Sequence, residues 1–258
     1  MYNMSHKKSI LLIGGLGVIG QILVEGLSGT YDLIIADNRS TLQGHSGDCI
    51  QLDIMEYSQL VEKMPREISA IINLASMAEQ SRIVGADVIG TMTDLYLRGS
   101  YNVFLAAVEL GIPKVIFVSS NHVTDFYEKD GKSTLGREIL VSDYPYSTST
   151  YGVLKLAGEG LGYVFSINRN LSVICLRIGT VRLDEKRALQ EHPRFRRTLL
   201  SKVDVVDLFR ASIETDVSFG IYYGVSNNPE KPWSIDSTIE ELGFRPRVCS
   251  SDILTEGG

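Results

Sequence analysis

Three cysteines and four histidines in 258 residues leave little from which to build a metal centre. Cys49, Cys175 and Cys249 are scattered, with no CxxC pair, and Cys49 and Cys175 sit in or beside apolar runs, where a small buried hydrophobe is expected. His6, His45, His122 and His192 share no ligand spacing, so no metal site is expected. The chain has no apolar run near the roughly 20 residues that cross a bilayer. Its polar start runs straight into a strand, with no signal-peptide pattern, so a reducing cytoplasm is the expected location. It also lacks a basic balance: the net charge of −6 argues against sequence-independent nucleic-acid binding. There is no internal repeat and no low-complexity linker.

What is present is alternation. Strand-length apolar runs occur at Ser9–Ile13, Leu33–Ala36, Ile50–Leu52, Ala70–Asn73, Lys114–Val118 and Leu171–Ile178. Helical periodicity fills 19–27, 56–64, about 87–111 and 151–167. Strands apolar on both faces, alternating with helices, indicate a parallel sheet covered on both sides. The expected class is a doubly wound α/β fold of Rossmann type, binding ligands outside the carboxyl ends of its strands. Residues 181–203, rich in Arg and Lys, read as a loop. A helix (Asp204–Thr215), a strand (Gly220–Val225) and a short helix (Ile235–Leu242) follow. The organisation is one compact unit, with residues 1–180 as the dinucleotide-binding part and 181–258 as a small C-terminal substrate-binding cap.

Gly14-Gly15-Leu16-Gly17-Val18-Ile19-Gly20 lies between the first strand and the first helix. Two registers fit: GxGxxG through Gly15, Gly17 and Gly20, or GxxGxxG through Gly14, Gly17 and Gly20. Either permits a tight turn and a close approach of backbone to a pyrophosphate at a helix N-terminus. Glycine clusters also make ordinary turns, but here the strand–turn–helix context is the one the chemistry requires. Asp37, about 20 residues on, is placed to bind ribose hydroxyls and to repel a 2′-phosphate, favouring NAD over NADP; Arg39 close by softens that preference. Asp53-Ile54 would flank the adenine, and Leu74-Ala75-Ser76 would line the dinucleotide.

Tyr151 and Lys155 stand four residues apart, on one face of a helix. A phenol ordinarily titrates near 10, and a lysine cation held close favours its ionised form, so a tuned Tyr can act as a general base. Taken alone, YxxxK reads equally as a solvated helix face. The ordered set of glycine turn, a serine ending the fifth strand (Ser119-Ser120-Asn121-His122) and YxxxK about 30 residues later resembles the short-chain dehydrogenase/reductase superfamily, in its extended, epimerase/dehydratase branch. The likeness runs from Ile10 to about Arg247. It implies that Gly14, Gly17, Val18 and Ile19 hold the cofactor, Ser120 polarises the reacting oxygen, Tyr151 is the acid/base, and Lys155 binds the nicotinamide ribose and tunes the Tyr.

Nucleotide-sugar members of this branch are longer, and the roughly 80 residues after Ile178 suit a small sugar better. Ser119-Ser120-Asn121-His122, Arg177-Ile178-Gly179-Thr180, Tyr223-Gly224-Val225-Ser226 and Leu242-Gly243-Phe244-Arg245-Pro246 are similar to the uronate dehydrogenases, which oxidise C1 of a cyclic hexuronic acid to its lactone. That resemblance implies substrate contacts from Asn121, His122 and Thr180. It also implies a carboxylate-gripping arginine, best aligned with Arg194, with Arg196 and Arg197 as competitors. Four departures stand out: Ala78 where the family has a serine, a longer segment after it, Tyr96 in place of an asparagine, and Leu199-Leu200 in place of a tryptophan. The alternatives are a neutral aldose 1-dehydrogenase, a nucleotide-sugar epimerase or dehydratase, and a non-catalytic NAD(H)-binding regulator. A homodimer or larger homo-oligomer is implied, with Gly158 and Gly162 read as allowing close helix approach between subunits.

Overall fold

The computed structural model describes residues 7–39, 49–77 and 81–255. His6, His45 and Ala78 lie outside the described residues. The chain opens with β1 (Ser9–Ile13), α1 (Val18–Leu27), β2 (Asp32–Asp37), β3 (Cys49–Gln51), α2 (Tyr57–Lys63) and β4 (Ala70–Asn73). A long helix follows, made of α3 (Ala86–Thr93), a π-helical turn (Asp94–Gly99) and α4 (Ser100–Glu109). Then come β5 (Lys114–Ser120), a 3₁₀ segment (Asn121–Tyr127), the short strands β6 (Glu128–Lys129) and β7 (Lys132–Ser133), α5 (Thr150–Arg169) and β8 (Ser172–Ile178). The chain ends with α6 (Glu185–Glu191), α7 (Phe195–Thr198), α8 (Lys202–Glu214), β9 (Phe219–Gly224), α9 (Asp236–Leu242) and α10 (Ser250–Thr255).

Seven strands pair in the order β3-β2-β1-β4-β5-β8-β9, all parallel. Alternate residues of each strand feed two cores. Ile10, Leu12, Ile116, Val118 and Leu176 pack toward α1 and α8, whereas Leu11, Ile13, Val115, Phe117 and Cys175 pack toward α4 and α5. The strand order reverses where β1 lies between β2 and β4, which opens a crevice at their carboxyl ends. No helix among the described residues is long and apolar enough to cross a membrane.

Three expectations need correction. The 181–203 segment is not a loop: α6 and α7 form there, with the Asp184 carboxylate capping α6 through the Arg187 N–H at 3.1 Å and Ala188 and Leu189 buried. β5 runs through Ser119 and Ser120 instead of stopping at Val118. Gly158 and Gly162 face their own sheet. A Cβ on Gly158 would strike the Phe117 ring, and one on Gly162 would come within 2.8 Å of Val173, so both let α5 settle onto β5 and β8 within one subunit.

Beneath that seat lies a buried ion pair. Glu159 of α5 is 1% exposed and Arg177 of β8 is 2% exposed. Arg177 donates from Nε and Nη2 to the two Glu159 oxygens at 2.9 and 2.7 Å, and the Ser119 hydroxyl donates to Glu159 at 2.5 Å. Arg177 Nη1 donates to the Tyr223 hydroxyl at 3.3 Å, which lies 2.8 Å from Thr124 Oγ1. Each guanidinium nitrogen and each carboxylate oxygen of the pair thus has a partner, which is what makes a desolvated pair tolerable. Removing one partner leaves the other charge uncompensated. Glu159→Gln should therefore lower unfolding free energy by about 3–5 kcal/mol in urea melts, with the double Glu159→Met/Arg177→Met recovering much of the loss.

Candidate active site

The crevice begins at the glycine turn. Gly14 adopts φ +76°, and its N–H and that of Gly15 both donate to the Ala36 carbonyl, at 2.8 and 3.2 Å. Gly17 closes the turn by donating to the Gly14 carbonyl at 3.1 Å and serves as the N-cap of α1. No side chain caps that helix, and a Cβ on Gly17 would meet only the Gly14 carbonyl, at 3.3 Å. The N-terminal N–H groups around Val18 and Ile19 therefore have space in front of them for an anion. The residues present fit a dinucleotide pyrophosphate.

Asp37 ends β2 beside this turn and accepts the Leu16 N–H at 3.2 Å. Arg39 grips it twice, from Nε at 2.8 Å and Nη2 at 3.0 Å. Burial pushes the Asp37 carboxyl up, but the hydrogen bonds from Arg39 and Leu16 outweigh it and hold the group below its ordinary range. Asp53 and Ile54 follow β3 on the same edge. The Asp53 carboxylate accepts the Met55 N–H at 2.9 Å, and Asn102 fixes the Ile54 carbonyl at 2.9 Å. Ala75 crosses close to Gly14 after β4.

Beyond the switch point the crevice widens into a cleft of about 870 Å³. Its walls bring together Ile19, Leu74, Ser76, Ser120, Asn121, His122, Tyr151, Lys155, Thr180 and Arg194, all singled out in the sequence. Ser120 donates to Asn121 Oδ1 at 3.3 Å and accepts the His122 N–H at 3.2 Å, with Tyr151 lining the same cleft. His122 Nδ1 lies 3.1 Å from Asp125, and its ring stands edge-on to Tyr151. Thr180 lies 2.9 Å from the Thr198 hydroxyl, which draws α7 against the end of β8.

The three candidate arginines are not equivalent. Arg194 faces the cleft but is paired with Glu128 at 2.6 Å. Arg196 donates to the Leu189 carbonyl at 3.0 Å, and Arg197 pairs with Glu230 at 3.0 Å. Two further arginines, Arg82 and Arg182, also line the cleft, and sequence spacing carried no signal for either.

A family model described as the NAD dependent epimerase/dehydratase family matches residues 10–207. The chain belongs to that family. The uncharacterized protein YtbQ of Bacillus subtilis is 47% identical over 249 residues, covering 96% of this chain and 98% of its own length. The NAD-dependent glucose-6-phosphate dehydrogenase of Haloferax volcanii is 29% identical over 96% of each chain. Among solved structures, uronate dehydrogenase from Agrobacterium tumefaciens superposes with a TM-score of 0.81 at 22% identity, over 98% of this chain and 90% of that one, a likeness of fold.

In this epimerase/dehydratase-family chain Tyr96, Phe117 and His122 surround Tyr151 and Lys155 with rings. Tyr96, carried on the π-helical turn, is buried, and its hydroxyl accepts the Met77 N–H at 3.0 Å and meets Ser76 Oγ at 3.3 Å. Its ring lies 4.8 Å from Lys155 Nζ and stands edge-on to Tyr151 at 5.3 Å. Lys155 donates to the Val118 carbonyl at 2.8 Å. Burial pushes the Tyr151 phenol up, Tyr96 adds to the rise, and the neighbouring Ser120 opposes it.

Burial pushes Lys155 down to about 7, with Glu159 one turn away acting against it. Between that value and the ordinary 10.5 the unfolded chain binds the proton that the folded protein has released, so stability rises with pH across this window. The cost of burying the ammonium is complete below it. The melting temperature of wild type minus that of Lys155→Met should therefore climb from pH 6 to pH 10, as read by paired thermal melts.

Proposed function

We propose that the protein oxidises a cyclic sugar at C1, with NAD as hydride acceptor and a lactone as product. The observation that carries this reading is the convergence of Ser120, Tyr151 and Lys155 in one cleft whose wall includes Ile19 in the first turn of α1. Asp37 favours NAD over NADP because its carboxylate, held ionised, repels a 2′-phosphate. Bound NAD would supply the hydride-accepting carbon; the chain's own residues bind, orient and manage the proton.

The Ser120 and Tyr151 hydroxyls, carried on walls of the same cleft, offer a paired site for one substrate oxygen. Tyr151 takes the proton of the C1 hydroxyl as C1 gives up its hydride, and Ser120 donates to the oxygen as it becomes a carbonyl. Because burial disfavours the Tyr151 phenolate, it needs a cation, and Lys155, one helical turn away, can serve as one where it keeps its proton, at and below about pH 7. Asn121, His122 and Thr180 line the same walls and offer polar groups to the ring hydroxyls.

A hexuronic acid is the substrate that the resemblance to uronate dehydrogenases implies, with Arg194 meeting its carboxylate. The pairing of Arg194 with Glu128 weighs instead toward a sugar without that charge.

The test is to incubate pure protein with NAD and a panel of aldoses, aldose phosphates, hexuronates and nucleotide sugars. NADH is followed by absorbance and the sugars by chromatography. Turnover of a free sugar is expected, and Tyr151→Phe should lower kcat by about 10²–10⁴-fold while leaving NAD binding intact. Turnover of nucleotide sugars alone would make the protein an epimerase or dehydratase. Tight NAD binding without any turnover would make it a non-catalytic binder.

A further inference from the structure

We propose that Glu128 sets the substrate class of this cleft: it closes Arg194 into an ion pair and thereby selects a neutral aldose over a hexuronate. The inference rests on the C1-oxidation reading for its chemistry, while the selection itself is a matter of binding. Glu128 arrives on the β6–β7 hairpin, and Arg194 arrives on the turn that opens α7, so the pair joins two segments across the cleft wall. Arg194 Nε donates to both Glu128 oxygens, at 3.1 and 3.2 Å, and Nη2 donates to Oε2 at 2.6 Å. The Glu128 side chain is 6% exposed and that of Arg194 is 30% exposed.

The contact is built, not incidental. The Gly131 N–H also donates to Glu128 Oε1, and Gly131 adopts φ +83°, a conformation that L side chains rarely take. A Cβ at Gly131 would come within 3.0 Å of the Arg194 carbonyl, so the hairpin tip packs directly on the segment that carries the arginine. The other two arginines of the same segment are engaged elsewhere, while Arg82, Lys129 and Arg182 also line the cleft. Arg196 and Arg197 bond to Leu189 and Glu230, and Arg182 donates to the Val181 carbonyl with its guanidinium over the Phe195 ring at 4.9 Å.

A sugar carboxylate approaching Arg194 would meet the Glu128 charge in the same place, and like charges there oppose binding. A sugar hydroxyl has the opposite relation to the pair: it can donate to the carboxylate and accept from the guanidinium, meeting both without disturbing either. The closed pair is therefore a hydroxyl-reading site and a carboxylate-rejecting one.

The experiment compares wild type, Glu128→Gln and Glu128→Gln/Arg194→Gln with glucose and galactose against glucuronate and galacturonate. It measures kcat/KM with NAD and, separately, sugar binding to the NAD-loaded protein by calorimetry. Wild type should prefer the aldoses. Glu128→Gln should shift the aldose-to-hexuronate ratio by about tenfold or more toward the hexuronates, mainly through KM and binding, and the double variant should lose that gain. Wild type that already prefers hexuronates, or a ratio unmoved by Glu128→Gln in a variant whose circular dichroism is native, overturns the proposal. If no sugar is oxidised, the C1 reading fails, while the calorimetric ratio still decides the role of Glu128. The wild-type ratio needs no variant to fold.

Discussion

The buried pair of Glu159 and Arg177 is the constraint on which the cleft depends. Two charges at 1% and 2% exposure are costly to desolvate, and only a complete set of partners offsets that cost. Those partners are Ser119 on β5, Tyr223 on β9 and, through it, Thr124 on the 3₁₀ segment. The pair thus fixes the angle at which α5 lies on the sheet, and with it the position of Tyr151 and Lys155 two turns and one turn earlier. It also holds the end of β5, so that Ser120 emerges beside Tyr151. The same carboxylate acts on Lys155 electrostatically, against the push of burial. Scaffold and charge control are one device.

Much of this was legible in the sequence, for identifiable reasons. A strand covered on both sides must be apolar throughout, so β1, β2, β4, β5 and β8 announce themselves. The glycine turn, Ser120, Tyr151 and Lys155 are legible because their chemistry needs fixed spacing. The choice between the two glycine registers was not, since it turns on backbone angles: Gly14 takes the positive φ and Gly17 caps α1. Glu159 is invisible because a charge inside a helix ordinarily reads as a solvated face. The helices at 185–198 hide behind their Arg and Lys content, with only Ala188 and Leu189 deeply buried in α6.

The residues that shape the chemistry most are those with the weakest local signal. Glu128 sits on a strand of two residues, too short for any periodicity, and its partner lies 66 positions away. Tyr96 stands on a π-helical turn that no hydrophobic pattern predicts, and there its hydroxyl ties the segment after β4 to the ring that faces Lys155. A small-residue stripe is equally ambiguous: Gly158 and Gly162 would suit a subunit interface or a sheet, and the large rings opposite them decide for the sheet.

The placement of β9 bears on how the molecule protects itself. It is one of the two edge strands of the sheet and pairs along the side of β8 away from β5, where the β8 backbone would otherwise offer a template for strand pairing with other chains. The family match stops at residue 207, before β9 and before Leu208, Phe209 and Tyr222, which complete the core over α1. During synthesis, β8 leaves the ribosome with one edge bare until β9 follows about 40 residues later, and a bare strand edge is open to pairing with other chains.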